Sequence, residues 1–160
     1  MKRYRIIPTI CLAAVAVLLL CTPAGLQAFQ SVKSQNSYSS RNKNIEKINA
    51  IRAIVYMWAQ AWENKDLNNY MTYYNPKFQT GDIGYHLWQE KKAKVFQRPG
   101  NISIEINDLW VFAEGNYATA SFIQKYQDAK HSDIGEKILK FIHVNGTWQI
   151  VSENWKPLKR

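Results

Sequence analysis

The chain changes its hydrophobic period once, at Pro99-Gly100, and that single change restricts the fold more than any other feature. Before it, Ile45, Ile48, Val55, Trp58, Ala59 and Trp62 recur at helical spacing. Asp66 follows as a candidate cap for a shorter helix through Tyr70, Met71 and Tyr74, which Asn75-Pro76 ends. Phe78 starts a short extended piece, residues 81–84 read as a loop, and residues 85–96 predict a third helix. Leu87, Trp88, Lys91 and Val95 lie near one face of that helix. After Gly100, Ile102, Ile104 and Ile106 alternate with Ser103, Glu105 and Asn107, and the strand runs on to Phe112. A second strand covers 117–128, with Ala118, Ala120, Phe122, Gln124 and Tyr126 on one face. Strands over 136–144 and 147–155 flank Asn145-Gly146, a tight-hairpin signal. Three helices followed by an antiparallel meander predict an α+β domain, the helices packed on one side of a curved sheet.

The amino terminus reads differently. Lys2, Arg3 and Arg5 precede an apolar run from Ile10 to Cys21, and Leu26-Gln27-Ala28 is a cleavage site of the expected small-residue type. That order describes a secretory signal peptide over residues 1–28. The run is shorter than the ~20 apolar residues a spanning helix needs, so membrane contact is expected only through an uncleaved leader. Removing 1–28 takes away three basic residues and both cysteines, Cys11 and Cys21, and lowers the net charge from +9 to +6. An exported, cysteine-free chain has no disulfide, thiolate ligand or cysteine nucleophile. Residues 29–44 are Ser, Asn, Gln and Lys with few apolar side chains, which predicts a flexible polar linker. The folded domain is then 45–155, followed by a basic tail at 156–160.

Several strings in this domain resemble one family. They are Trp62-Glu63-Asn64-Lys65-Asp66, the stretch from Tyr70 to Phe78, Phe122-Ile123-Gln124-Lys125-Tyr126, Lys137-Ile138-Leu139, and Gly146 to Ile150 with Glu153. Together they are similar to the nuclear transport factor 2-like (SnoaL-like) superfamily, over about residues 45–155. More narrowly, they resemble the modules found beside bacterial L,D-transpeptidase or L,D-carboxypeptidase cell-wall enzymes. The resemblance implies a cone of bent sheet around a helix-lined pocket. It also implies a cell-wall setting, in which the partner is a small molecule, a peptidoglycan fragment or a wall-modifying enzyme.

Phe122, Gln124, Tyr126 and Lys137 sit on strand faces that would turn into such a cone, and Tyr70, Tyr74 and Trp88 would supply its helical wall. An apolar pocket with a few converging polar groups is the usual form of a small-ligand site. Relatives of this fold that are enzymes place an Asp or a His–Asp pair in the cavity. Among the five aspartates, Asp108 shares a predicted face with Ile106 and Trp110, so it is the candidate general base, with Tyr126 as oxyanion donor. His86, His131 and His143 occur in no metal-ligand spacing, and no cofactor is expected. Lys91, Lys92, Lys94 and Arg98 read as solvated charge, and no nucleic-acid motif accompanies them. The sequence thus favours an exported, non-catalytic binding module. A small cavity enzyme and a homodimer are the alternatives, the latter joined through the apolar outer sheet positions Ile123, Ile138, Ile142 and Val151.

Overall fold

The computed structural model describes residues 23–158. The basic head and apolar run of the leader, with both cysteines, and Lys159 and Arg160 of the tail lie outside the described residues. The chain divides into two units, residues 1–38 and 39–160, and the second holds the whole α+β domain. Helix α1 spans Pro23–Glu63, α2 Leu67–Thr72 and α3 Tyr85–Phe96. Strands β1 (Gln79–Thr80) and β2 (Ile83–Gly84) form a minimal hairpin where the sequence suggests a loop. Strands β3 (Ser103–Glu114), β4 (Tyr117–Gln127), β5 (Ser132–Val144) and β6 (Thr147–Pro157) make one antiparallel meander in that order.

Residues 29–44 require a correction. They belong to α1 and are not an irregular tether. The stretch contains neither glycine nor proline, so nothing in it breaks a helix, and its described side chains are exposed. Its polar composition reports the absence of a buried face, which a solvated helix also satisfies.

Within the domain α1 buries Ile51, Val55, Trp58, Ala59, Ala61 and Trp62, close to the predicted stripe. Asp66 caps α2 as expected, its carboxylate accepting from the Asn69 amide at 3.0 Å. The Asn145-Gly146 hairpin has positive φ at both residues, the geometry of a primed turn. Polar side chains of α1 line the free edge of β3. Arg52 donates to the Leu109 carbonyl, Lys47 to the Gly115 carbonyl, and Glu63 accepts from the Ile104 amide. The edge of β6 is met by the chain leaving α2: Asn75 N–H donates to Ile150 O, and Ile150 N–H donates to Tyr73 O.

Two irregularities decide which side chains face the helices. In β3 the register shifts between Asn107 and Trp110. Ile102 and Ile104 are buried before the shift, Val111 and Ala113 after it, so the inward face passes from even to odd positions. Asp108 sits in the shift with φ +53. Aspartate tolerates that left-handed conformation better than most residues, and it is the turn of the bulge that the residue serves. In β6, Lys140 pairs with Ser152 while Phe141 pairs with Ile150, leaving Val151 as the extra residue. Trp148 and Ile150 face inward before it, and Glu153 faces inward after it. A bulge changes the addressee of every later side chain.

Candidate functional site

The interior of the cone holds a connected polar network. Lys137 Nζ donates to Glu153 Oε1 at 2.8 Å, and Tyr74 OH donates to Glu153 Oε2 at 2.8 Å. Tyr70 OH lies 2.6 Å from Tyr74 OH, and Trp58 Nε1 donates to Tyr74 OH at 2.9 Å. Burial pushes the Glu153 carboxyl up, but the nearby Lys137 and Lys92 charges and the bonds from Lys137 and Tyr74 outweigh it. The net result is a carboxylate held below its usual range. Burial, then the Glu153 charge, raises both tyrosines far above theirs, so they stay protonated. Thr80 Oγ1 donates to the Glu153 carbonyl at 2.7 Å, which clips β1 to β6 at this point.

Beside the network lies a second buried cation, Lys92, only 7% exposed. Its Nζ stands 3.5 Å from the Trp62 ring centroid and 4.6 Å from that of Trp88. Burial lowers its pKa to about 7, with Glu153 raising it and Lys137 lowering it further. The sequence pattern points to Lys91 on this face, with Lys92 as solvated charge. The buried positions of α3 are instead Lys92 and Phe96, flanked by the half-buried Trp88, while Leu87 and Lys91 are exposed.

A cleft of about 210 Å³ opens where the end of α3 meets the sheet. Trp62, Val95 and Arg98 form its helical side. Gln124, Tyr126, Asp133, Lys137 and Trp155 form its sheet side. Trp155 reaches this wall because Gly135 has no side chain. A Cβ there would come within 2.5 Å of the Lys156 carbonyl oxygen and 2.7 Å of the Trp155 indole. Tyr126 OH donates to Asp128 Oδ2 at 2.7 Å, and Asp128 also accepts from the Lys130 and His131 amides and from Arg98. These bonds, the Lys130 amide first, hold the Asp128 carboxyl far below its ordinary range. Tyr126 is pushed up, by burial first and then by that carboxylate. His131 Nε2 and Asp133 Oδ2 are 3.1 Å apart at the lip.

The predicted site residues therefore separate into two groups. Gln124, Tyr126 and Lys137 meet in the cleft. Tyr70 and Tyr74 belong to the buried network, Phe122 packs on Trp58 in the core, and Trp88 packs between Phe78, Tyr74 and Lys92. None of these four lines the cleft, because the rings meet one another and fill that part of the cone. Asp108 is exposed on the far side of its bulge, so the proposed base does not enter the cavity. Tyr126 has committed its proton to Asp128 and not to a reacting oxygen. Sequence reasoning missed Glu153, Lys92, Asp133 and Trp155. Glu153 was visible only as part of a resembling string, since regular alternation from Trp148 and Ile150 would turn it outward.

His143 is half-buried with its ring 4.8 Å from that of Trp148, a packing role beside the hairpin. His86 lies exposed in the first turn of α3. Among the described residues no three His, Cys, Asp or Glu side chains converge as a metal site, and no helix is long and apolar enough to cross a membrane. On the outer face of the sheet Ile123, Ile138, Ile142 and Val151 are part-covered by their neighbours. Trp110 and Phe112 are exposed there, at 58% and 50%, with parallel rings 6.1 Å apart, as are Tyr117 and Ile134.

The profile of the family described as the Cds6 C-terminal NTF2-like domain matches residues 50–154. Among solved structures, Bd1075 of Bdellovibrio bacteriovorus is 25% identical with a TM-score of 0.66; the match covers 69% of this chain and 40% of that one. An NTF2-like protein of unknown function from Pseudomonas putida is 19% identical with a TM-score of 0.64, covering 70% and 87%. The helical cell shape determining protein Pgp2 of Campylobacter jejuni is 24% identical with a TM-score of 0.53, covering 62% and 38%. This chain thus spans less than half the length of Bd1075 and of Pgp2. No curated protein matches it. With the match spanning both helices and sheet, and the cone and its bulges in place, the chain belongs to the Cds6 C-terminal NTF2-like domain family.

Proposed function

We propose that this chain is an exported, non-catalytic binding module that holds a cell-wall fragment or other small ligand in the cleft, or presents a wall-modifying enzyme with its substrate. The observation carrying this reading is the contrast between the bonded Lys137–Glu153–Tyr74 network of the interior and an open cleft with aromatic walls and a charged lip. Glu153 is ion-paired and the phenols beside it are held protonated, so the network supplies no free base. The basic head and apolar run within residues 1–28 support export, and the likeness to a cell-shape protein supports an envelope setting. The resemblance to modules beside L,D-transpeptidases and L,D-carboxypeptidases supports the wall itself as the partner. Co-sedimentation with isolated sacculi tests it. The full chain is expected to pellet with sacculi, and Trp155→Ala, which removes one wall of the cleft, to lower the bound fraction at least fivefold. Failure of the unaltered chain to pellet overturns the reading.

The enzyme alternative has one observation in its favour, the His131–Asp133 pair at the lip, which replaces Asp108 as the acid–base candidate. A turnover abolished by His131→Ala with folding intact would establish it. The homodimer reading draws support from exposed Trp110 and Phe112. Sedimentation showing only monomer at high concentration would remove it.

A further inference from the structure

We infer that the cleft takes a zwitterionic amino acid or dipeptide, its ammonium toward Gln124 and Asp133 on the sheet side and its carboxylate toward Arg98 on the helical side. The inference rests on the binding-module reading and names the ligand class.

The argument begins with the polar atoms the fold leaves unsatisfied. Gln124 is only 2% exposed, yet its Oε1 has no hydrogen-bond partner. Asp133 Oδ1 is likewise buried and unpartnered, while its Oδ2 is taken by His131. Both residues line the same cleft. Buried acceptors are almost always bonded, because desolvation without a donor is costly, and a ligand that brings N–H groups removes that cost. Asp133 adds a formal negative charge, and aromatic side chains on both sides offer π faces, which together select a cationic donor over a neutral one.

The cations of the cleft are suited to the opposite end of such a ligand. Lys137 spends one of its three N–H donors on Glu153, and Arg98 has one long contact, 3.4 Å, to Asp128. Trp62 Nε1 is a buried donor without an acceptor. Arg98 and Trp62, on the helical side, therefore stand across the cleft from two spare acceptors on the sheet side, where Lys137 flanks Gln124. A carboxylate answers the first set and an ammonium the second. The cleft of about 210 Å³ corresponds to roughly seven water volumes, the scale of a terminal amino-acid residue.

Isothermal titration of the full chain with alanyl-alanine, its N-acetylated form and its C-terminal amide tests the inference, with sacculus co-sedimentation run in parallel. The uncapped dipeptide is expected to bind, and each capped form to bind at least tenfold more weakly. Asp133→Asn should weaken the uncapped dipeptide at least fivefold and leave the weak N-acetylated form unaffected, a selectivity that a general folding defect would not produce. Capped forms binding as well as the free dipeptide overturn the inference. Sacculi that bind while no dipeptide does also overturn it, and leave the binding module standing. If neither sacculi nor dipeptides bind, both readings fall.

Discussion

The floor of the cone and its mouth are built from the same residue types and treat them in opposite ways. In the floor, Lys137, Glu153, Tyr74, Tyr70 and Trp58 form one chain of hydrogen bonds. At the mouth, Gln124, Asp133 and Trp62 each keep one buried polar atom without a partner. A satisfied buried network specifies structure, whereas an unsatisfied one costs stability and persists where something else completes it. The two buried lysines repeat the lesson. Lys137 has a carboxylate at 2.8 Å, and Lys92 has only aromatic rings close by.

The largest effect should come from breaking the floor. Lys137→Met leaves Glu153 buried and unpaired and should cost about 3–5 kcal/mol in denaturant unfolding. A double variant, Lys137→Met with Glu153→Leu, should recover at least half of that. A single variant as stable as the parent would show that the floor is not structural.

Lys92 should move the other way. Its folded pKa, about 7, lies below the 10.5 of the unfolded chain, so between these values the unfolded state binds more protons. Stability should therefore rise as pH rises from 7 toward 10, and below 7 the full cost of the buried charge is present. Lys92→Met should stabilise the domain by about 1–3 kcal/mol at pH 6 and flatten this rise. A loss of stability at pH 6 would mean that the cation–π contacts with Trp62 and Trp88 outweigh desolvation.

Gly135→Ala should cost about 1–3 kcal/mol, because the new methyl group has no room between the Lys156 carbonyl and Trp155. Trp155 fluorescence should shift as the cleft wall moves, though the five other tryptophans make the difference against Trp155→Phe the informative quantity. The smallest effect on stability belongs to the mouth. Asp133→Asn should change it by no more than about 0.5 kcal/mol while lowering sacculus binding, which would separate binding from folding in one substitution. Equal losses of both would merge the two regions into one.

Much of the architecture was legible because periodicity is a direct consequence of packing. The helix over 85–96, the strand starting at Tyr117 and the Asn145-Gly146 hairpin follow from apolar spacing and turn chemistry. The site was half legible. Gln124, Tyr126 and Lys137 lie on strand stretches that alternate without interruption, so their faces could be counted. Asp108 and Glu153 lie in or just beyond a bulge, where one extra residue inverts the count and nothing in the composition announces it. Lys92 was misplaced because an apolar stripe that accepts a lysine gives no sign of which lysine it accepts. The helix over 29–44 was missed because polar content reports exposure and not backbone conformation.

The side chains that α1 lays along β3 have a consequence for the behaviour of the protein in company. A bare strand edge recruits other strands, and the usual defence is charge placed along it. Here Arg52 occupies a carbonyl and Glu63 an amide of that edge, and Lys47 holds the Gly115 carbonyl in the turn at its end, so a foreign strand would first have to displace these internal partners. Removing Lys47 and Arg52 together should leave the fold intact and make concentrated samples prone to fibrillar association. On this side, the polar face of α1 guards the protein's solubility.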